Sequence, residues 1–163
     1  NNSFKIDSNK EAIQFIITEV QWSYLIVFFI LFFLGGYLLY SGLMAAIGAA
    51  VDEEADTQQF LLPLTIPMVF AILMASKVID DPSSSLAFWL SEIPFTSPII
   101  MIVRIAMGIG DSSVEIWEII LSLFLLTITF IGTTWLSGRI YRKGILSYGK
   151  KASYSDLFKW LKN

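Results

Sequence analysis

The chain contains no cysteine and no histidine among its 163 residues. The first absence excludes a disulfide scaffold and a thiolate metal site. The second removes the commonest metal ligand and the commonest proton shuttle near neutral pH. Charge is scarce as well: Asp, Glu, Lys and Arg make up 15% of the chain, against about 25% in a soluble domain. With 55% hydrophobic residues and a mean hydropathy of +0.67, disorder is also a poor fit. No nucleophile stands with a base, and no Gly-rich phosphate loop carries its Lys. The chain is therefore expected to hold no catalytic residues, no cofactor and no metal, and not to be an enzyme.

What is present is long apolar runs. Ser23 to Ala50 is free of charge over 28 residues, Thr57 to Ser76 over 20, and Ile119 to Gly138 over another 20. A helix needs about 20 apolar residues to cross a bilayer. The composition thus predicts an all-α integral membrane bundle. Its transmembrane domain is expected over 23–138, with spans at about 23–50, 61–79 and 114–138. The first span is bulky at its start and small from Gly35 to Ala50 (Gly35, Gly36, Gly42, Ala45, Ala46, Gly48). Small residues let helix backbones approach closely in lipid, so the second part is expected to pack against a neighbour. In the second span Pro63 and Pro67 each remove a backbone donor, which predicts a helix kink inside a bundle.

Residues 86–110 are apolar on average but carry Glu92, Pro94, Pro98 and Arg104. Only 11 uncharged residues run from Ile93 to Val103, too few for a crossing. A broken, re-entrant pair of short helices fits better than a straight span. An isolated charge at bilayer depth is costly, so Glu92 and Arg104 are expected near water, in an interior cavity or as a local ion pair. With 86–110 re-entrant the chain has three spans; with it crossing, four.

The flanks differ in kind. Residues 1–22 read as an amphipathic lead-in, with Ser8 and Glu11 at capping-box spacing. Asp52, Glu53, Glu54, Asp56, Gln58 and Gln59 form an acidic and amide loop, read first as a solvated loop or helix start at the membrane surface. Residues 139–163 hold seven Lys and Arg against Asp156 alone. The positive-inside rule places this tail in the cytoplasm, and the 153–162 pattern suits a short helix on the inner leaflet. The chain starts Asn1-Asn2-Ser3, without Met or a signal peptide, and is expected to be a processed or truncated piece of a longer protein.

Three blocks carry a family resemblance: Gly48 to Phe60 followed by Leu62-Pro63-Leu64-Thr65-Ile66-Pro67; Ser91 to Arg104; and Gly138-Arg139-Ile140-Tyr141-Arg142-Lys143-Gly144-Ile145-Leu146. In this order they resemble the permease subunits of type-two ABC exporters, most closely the sodium-extrusion (NatB-like) branch. The resemblance implies that this chain is the C-terminal half, supplying the fourth to sixth of six spans. It implies a permease that moves a small solute or ion, sodium by family naming, outward at the expense of ATP hydrolysed in a separate nucleotide-binding subunit. It further implies a second permease subunit in a homo- or heterodimer, and a multi-pass place in a bacterial or archaeal cytoplasmic membrane in contact with lipid. Nucleic acid is not an expected partner. Under this resemblance Glu92, Pro94, Pro98 and Arg104 form an outer gate or re-entrant segment, Pro63 and Pro67 a bend, and the loop at 52–59 a surface facing the ATPase. The rival readings are a non-transport membrane scaffold or assembly protein, and a secondary transporter or intramembrane enzyme. The latter class usually needs paired Asp, His or Glu within its spans, and the three clean spans have none in their cores.

Overall fold

The computed structural model describes residues 22–50, 54–110 and 113–144. The lead-in at 1–21, the loop residues Asp52 and Glu53, and the tail from 145 onward lie outside the described residues. Within them the chain forms five helices: α1 (Trp22–Ala50), α2 (Glu54–Asp80), α3 (Ser85–Glu92), α4 (Ser97–Met107) and α5 (Ile116–Gly144). The long helices α1, α2 and α5 contain the three stretches apolar enough to cross a membrane: Trp22–Gly48, Gln58–Asp80 and Ile116–Arg139. The protein is a multi-pass membrane helical bundle. Its outer faces carry side chains such as Tyr37, Leu62, Ile66, Leu73, Ile120 and Phe124, all about 60% exposed. An apolar surface of that extent belongs against lipid or further helices rather than water.

The small half of α1 packs on one face only, since Ala45 and Gly48 are exposed. Phe32, Gly36, Leu39 and Ala46 are buried at helical spacing, and Ile119, Ser122 and Leu126 repeat that spacing on α5. Gly35 lies against Leu126, and Ser137 Oγ donates to the Gly42 carbonyl at 2.8 Å. Residue numbers thus rise together along both helices, so α1 and α5 run parallel. α2 continues through Pro63 and Pro67 without interruption. Thr65 Oγ1 shares its single proton between the Leu61 and Leu62 carbonyls, at 3.2 and 3.1 Å, a bond that tends to bend helices.

Between α2 and α5 the chain folds into a short helical hairpin. Ser84 caps α3, its Oγ accepting from the Ala87 amide at 3.2 Å. Pro94 stands in the four-residue turn, and Thr96 Oγ1 closes it by donating to the Leu90 carbonyl at 2.5 Å. Pro98 sits in the first turn of α4, where a missing N–H costs nothing. Gly108 ends α4 at φ 133°, in a region side chains avoid. The hairpin is wedged between the long helices. Met101 and Ile105 of α4 pack with Phe32, Leu39, Ile119 and Leu126 of α1 and α5. Ala87, Leu90 and Ile100 pack with Ala71 and Val78 of α2.

Candidate functional site

Arg104 is the largest fully buried side chain among the described residues, at 2% exposure. A guanidinium has five N–H donors, and burial requires that its charge and donors be matched. Nε donates to the Pro82 carbonyl at 2.9 Å, Nη1 to Ser91 Oγ at 2.7 Å, and Nη2 to the Ser113 carbonyl at 2.8 Å. Its counter-charge is Glu118, with Oε2 2.6 Å from Nη1; this contact is electrostatic, since Oε2 takes no aligned hydrogen bond. One side chain on α4 therefore ties together the 81–84 turn, α3, the loop before α5, and α5 itself. Hydroxyls extend the net. Ser113 Oγ shares its single proton between the Arg104 carbonyl, at 2.7 Å, and that of Gly108. Ser91 Oγ donates to the Phe88 carbonyl at 2.8 Å, and Ser122 Oγ to that of Ser91 at 2.6 Å. A polar cavity of about 330 Å³ opens beside the net, lined by Ser83, Arg104, Gly110, Ser113, Glu115 and Glu118.

The expected local ion pair of Glu92 with Arg104 does not form; α5 supplies the partner instead. Glu92 is 5% exposed and neither carboxyl oxygen has a hydrogen-bond partner. It lies in the hairpin, between the second and third long helices. Burial first, and then the like charge of Glu118, push its carboxyl up to about 7, with Arg104 opposing. The sequence did not single out Glu118, Ser91, Ser113 or Ser122. Glu118 stands in the first turn of α5, where an acid also suits the helix dipole, so its type and place carry no mark of the pairing.

The two hairpin prolines serve different neighbours. Pro98 packs directly on Gly36, where an added Cβ would come within 2.9 Å of its ring. Pro94 lies in the turn whose next residue, Phe95, receives the Tyr40 hydroxyl on its carbonyl at 2.7 Å. Beside the tip is an apolar cavity of about 430 Å³ between α1, α2 and the hairpin, with Phe33, Tyr37, Met44, Met68, Phe95 and Ile99 on its walls. Gln58 and Gln59 are exposed near the start of α2. Roughly 33 Å of helix separates them from Asp80, at about 1.5 Å per residue, so the structure does not bring them near Arg104. The side chains of Glu54 and Asp56 lie outside the described residues, as do Asp52 and Glu53. Among the described residues no three His, Cys, Asp or Glu side chains cluster as metal ligands would.

A family model described as ABC-2 family transporter protein matches residues 12–139. The uncharacterized protein YhaP of Bacillus subtilis is 28% identical over 132 residues, covering 81% of this chain and 30% of that protein. The uncharacterized protein MJ1024 of Methanocaldococcus jannaschii is 25% identical over 136 residues, covering 83% of this chain and 33% of that protein. The chain thus spans about a third of the length of these curated relatives. No solved structure matches it.

Proposed function

The chain belongs to the ABC-2 transporter family, and on that premise we propose that it is the C-terminal part of the permease subunit of an ATP-driven exporter. ATP is hydrolysed in a separate nucleotide-binding subunit. The permease, paired with a second permease subunit, moves a small solute or ion outward; resemblance to the sodium-extrusion branch makes sodium the first candidate. Its place is a bacterial or archaeal cytoplasmic membrane, with the basic tail inside. The observation that carries the reading is the family match across 128 residues, from 12 to 139, which takes in all three long apolar stretches and the hairpin between them.

Within this reading the hairpin is re-entrant from the outer side, and Glu92, Pro94, Pro98 and Arg104 belong to an outer gate. Pro63 and Pro67 supply the bend of α2, and Asp52, Glu53, Glu54, Asp56, Gln58 and Gln59 face the ATPase at the other end of the bundle. The test is to tag the full-length parent protein, solubilise it gently from its own membranes and identify what co-purifies. A stoichiometric nucleotide-binding subunit with vanadate-sensitive ATPase activity is the expected result. A preparation free of such a subunit, repeated in milder detergent, overturns the exporter reading in favour of a membrane scaffold.

A further inference from the structure

The polar group around the hairpin does not balance in charge. It contains one guanidinium, Arg104, and the buried carboxyl of Glu92, and across from them stands the partly buried Glu118 of α5, 12% exposed on the wall of the polar cavity. Arg104 already directs donors to Pro82, Ser91 and Ser113 and stands against Glu118. Glu92 has neither an ion-pair contact of this kind nor a hydrogen bond on either oxygen. It ends α3, where the negative pole of the helix also disfavours an anion. Other elements offer no counter-charge among the described residues. α1 carries no charged residue from Ser23 to Gly48, and the charges at the near end of α2 and the following turn, Lys77, Asp80 and Asp81, are exposed. Five residues after Glu92, Ser97 is wholly buried with its Oγ also unpartnered.

We infer that Glu92 is a proton-binding site: in the closed hairpin it holds one proton, and this proton neutralises the set of two carboxyls and one guanidinium. A proton suits the site better than a metal ion. Hard cations take about six oxygen ligands or more, whereas the unpartnered buried side-chain oxygens of the hairpin are two on Glu92 and one on Ser97. The nearby guanidinium also repels a second fixed cation. When the proton leaves to solvent, Glu92 becomes a carboxylate that competes with Glu118 for Arg104. The contact between hairpin and α5 is then weakened. Protonation of one residue thereby sets how firmly the hairpin is held, whatever solute the permease moves; the inference does not rest on the exporter reading.

The test is infrared spectroscopy of the full chain in lipid nanodiscs, with the glutamates labelled with carbon-13. At neutral pH we expect the carbonyl stretch of a protonated glutamic acid, shifted by the label and by deuterium exchange. It should fade as pH rises, vanish in Glu92→Gln and move in Glu92→Asp; in Glu118→Gln, which leaves one carboxyl against a freed Arg104, it should fade at a lower pH. Absence of the band in the wild-type chain overturns the inference, as does its survival in Glu92→Gln. A Glu92→Gln chain that fails to fold while Glu92→Asp folds also overturns it, because an already neutral side chain should tolerate the neutral isostere. Loss of the band on adding sodium at fixed pH, with choline as the control, overturns the proton assignment in favour of a metal cation.

Discussion

Arg104 holds four segments of chain through one planar head group, and this gives its loss a definite signature. Removing one partner of a buried pair strands the other charge, at a cost of about 3–5 kcal/mol. Arg104→Ala should therefore lower the unfolding midpoint in detergent markedly. Adding Glu118→Gln to it should recover part of the loss, since the stranded carboxylate goes. Two single variants whose effects merely add would show that the 2.6 Å contact contributes little. In the full-length protein the same Arg104→Ala change tests the outer gate, and unchanged export with unchanged ATPase coupling sinks that proposal. The sequence marked Arg104 and Glu92 as costly charges in an apolar stretch. It did not indicate which residue matches Arg104, because Glu118 lies 14 residues further on and comes from a different helix, α5. A charge in lipid announces that it needs a partner, while the partner's identity is a property of packing.

Among the helices, glycine decides how closely α1 approaches its neighbours. In lipid, helix association draws on close van der Waals packing rather than on expulsion of water, so each small residue matters by what it faces. A Cβ at Gly36 would stand 2.8 Å from Pro98 Cγ and 2.9 Å from Cβ, a rigid ring at the first turn of α4. One at Gly35 would meet Leu126 Cδ2 at 2.7 Å, the end of a flexible side chain. One at Gly42 would meet Thr134 at an ordinary 3.6 Å. Overpacking costs about 1–3 kcal/mol, while Ala in a helix interior gains up to about 1 kcal/mol over Gly. Gly36→Ala should destabilise most, Gly35→Ala less, and Gly42→Ala should be neutral or slightly stabilising, as read by thermal unfolding in detergent. Equal effects at all three would mean that the hairpin does not seat on Gly36. The small-residue stripe was legible in the sequence as a packing face, and the long helices as runs of apolar length. Helix ends are a different matter from span ends: α2 begins at Glu54, ahead of its apolar stretch, because a helix continues past the edge of that stretch wherever nothing breaks it.

For the molecule as a whole, the same guanidinium bears on topology. Pro82, just after α2, and Ser113, just before α5, both accept hydrogen bonds from Arg104. The end of α2 and the start of α5 therefore lie at one end of the bundle, which supports the proposal that the α3–α4 hairpin is re-entrant. The parallel course of α1 and α5 agrees, since an odd number of crossings from the start of α1 to the end of α5 requires it. Composition alone left three and four spans open, because the positive-inside rule weighs Lys and Arg and says little about the acids at 52–56. The proposal that the basic tail is cytoplasmic would set the absolute orientation; at the adjoining end of α5, Arg139 lies 4.7 Å over the Trp135 ring, an aromatic and basic pairing typical of a membrane interface. Because the chain has no cysteine, single replacements can be read without background. In intact cells a membrane-impermeant thiol reagent should label Ser84→Cys and spare both Gln58→Cys and Ser147→Cys. Labelling at Gln58 with none at Ser147 would place the start of α2 outside and make the hairpin a true crossing. The Arg104 net would then have to break on insertion, at odds with a guanidinium that bonds both flanks of the hairpin at once.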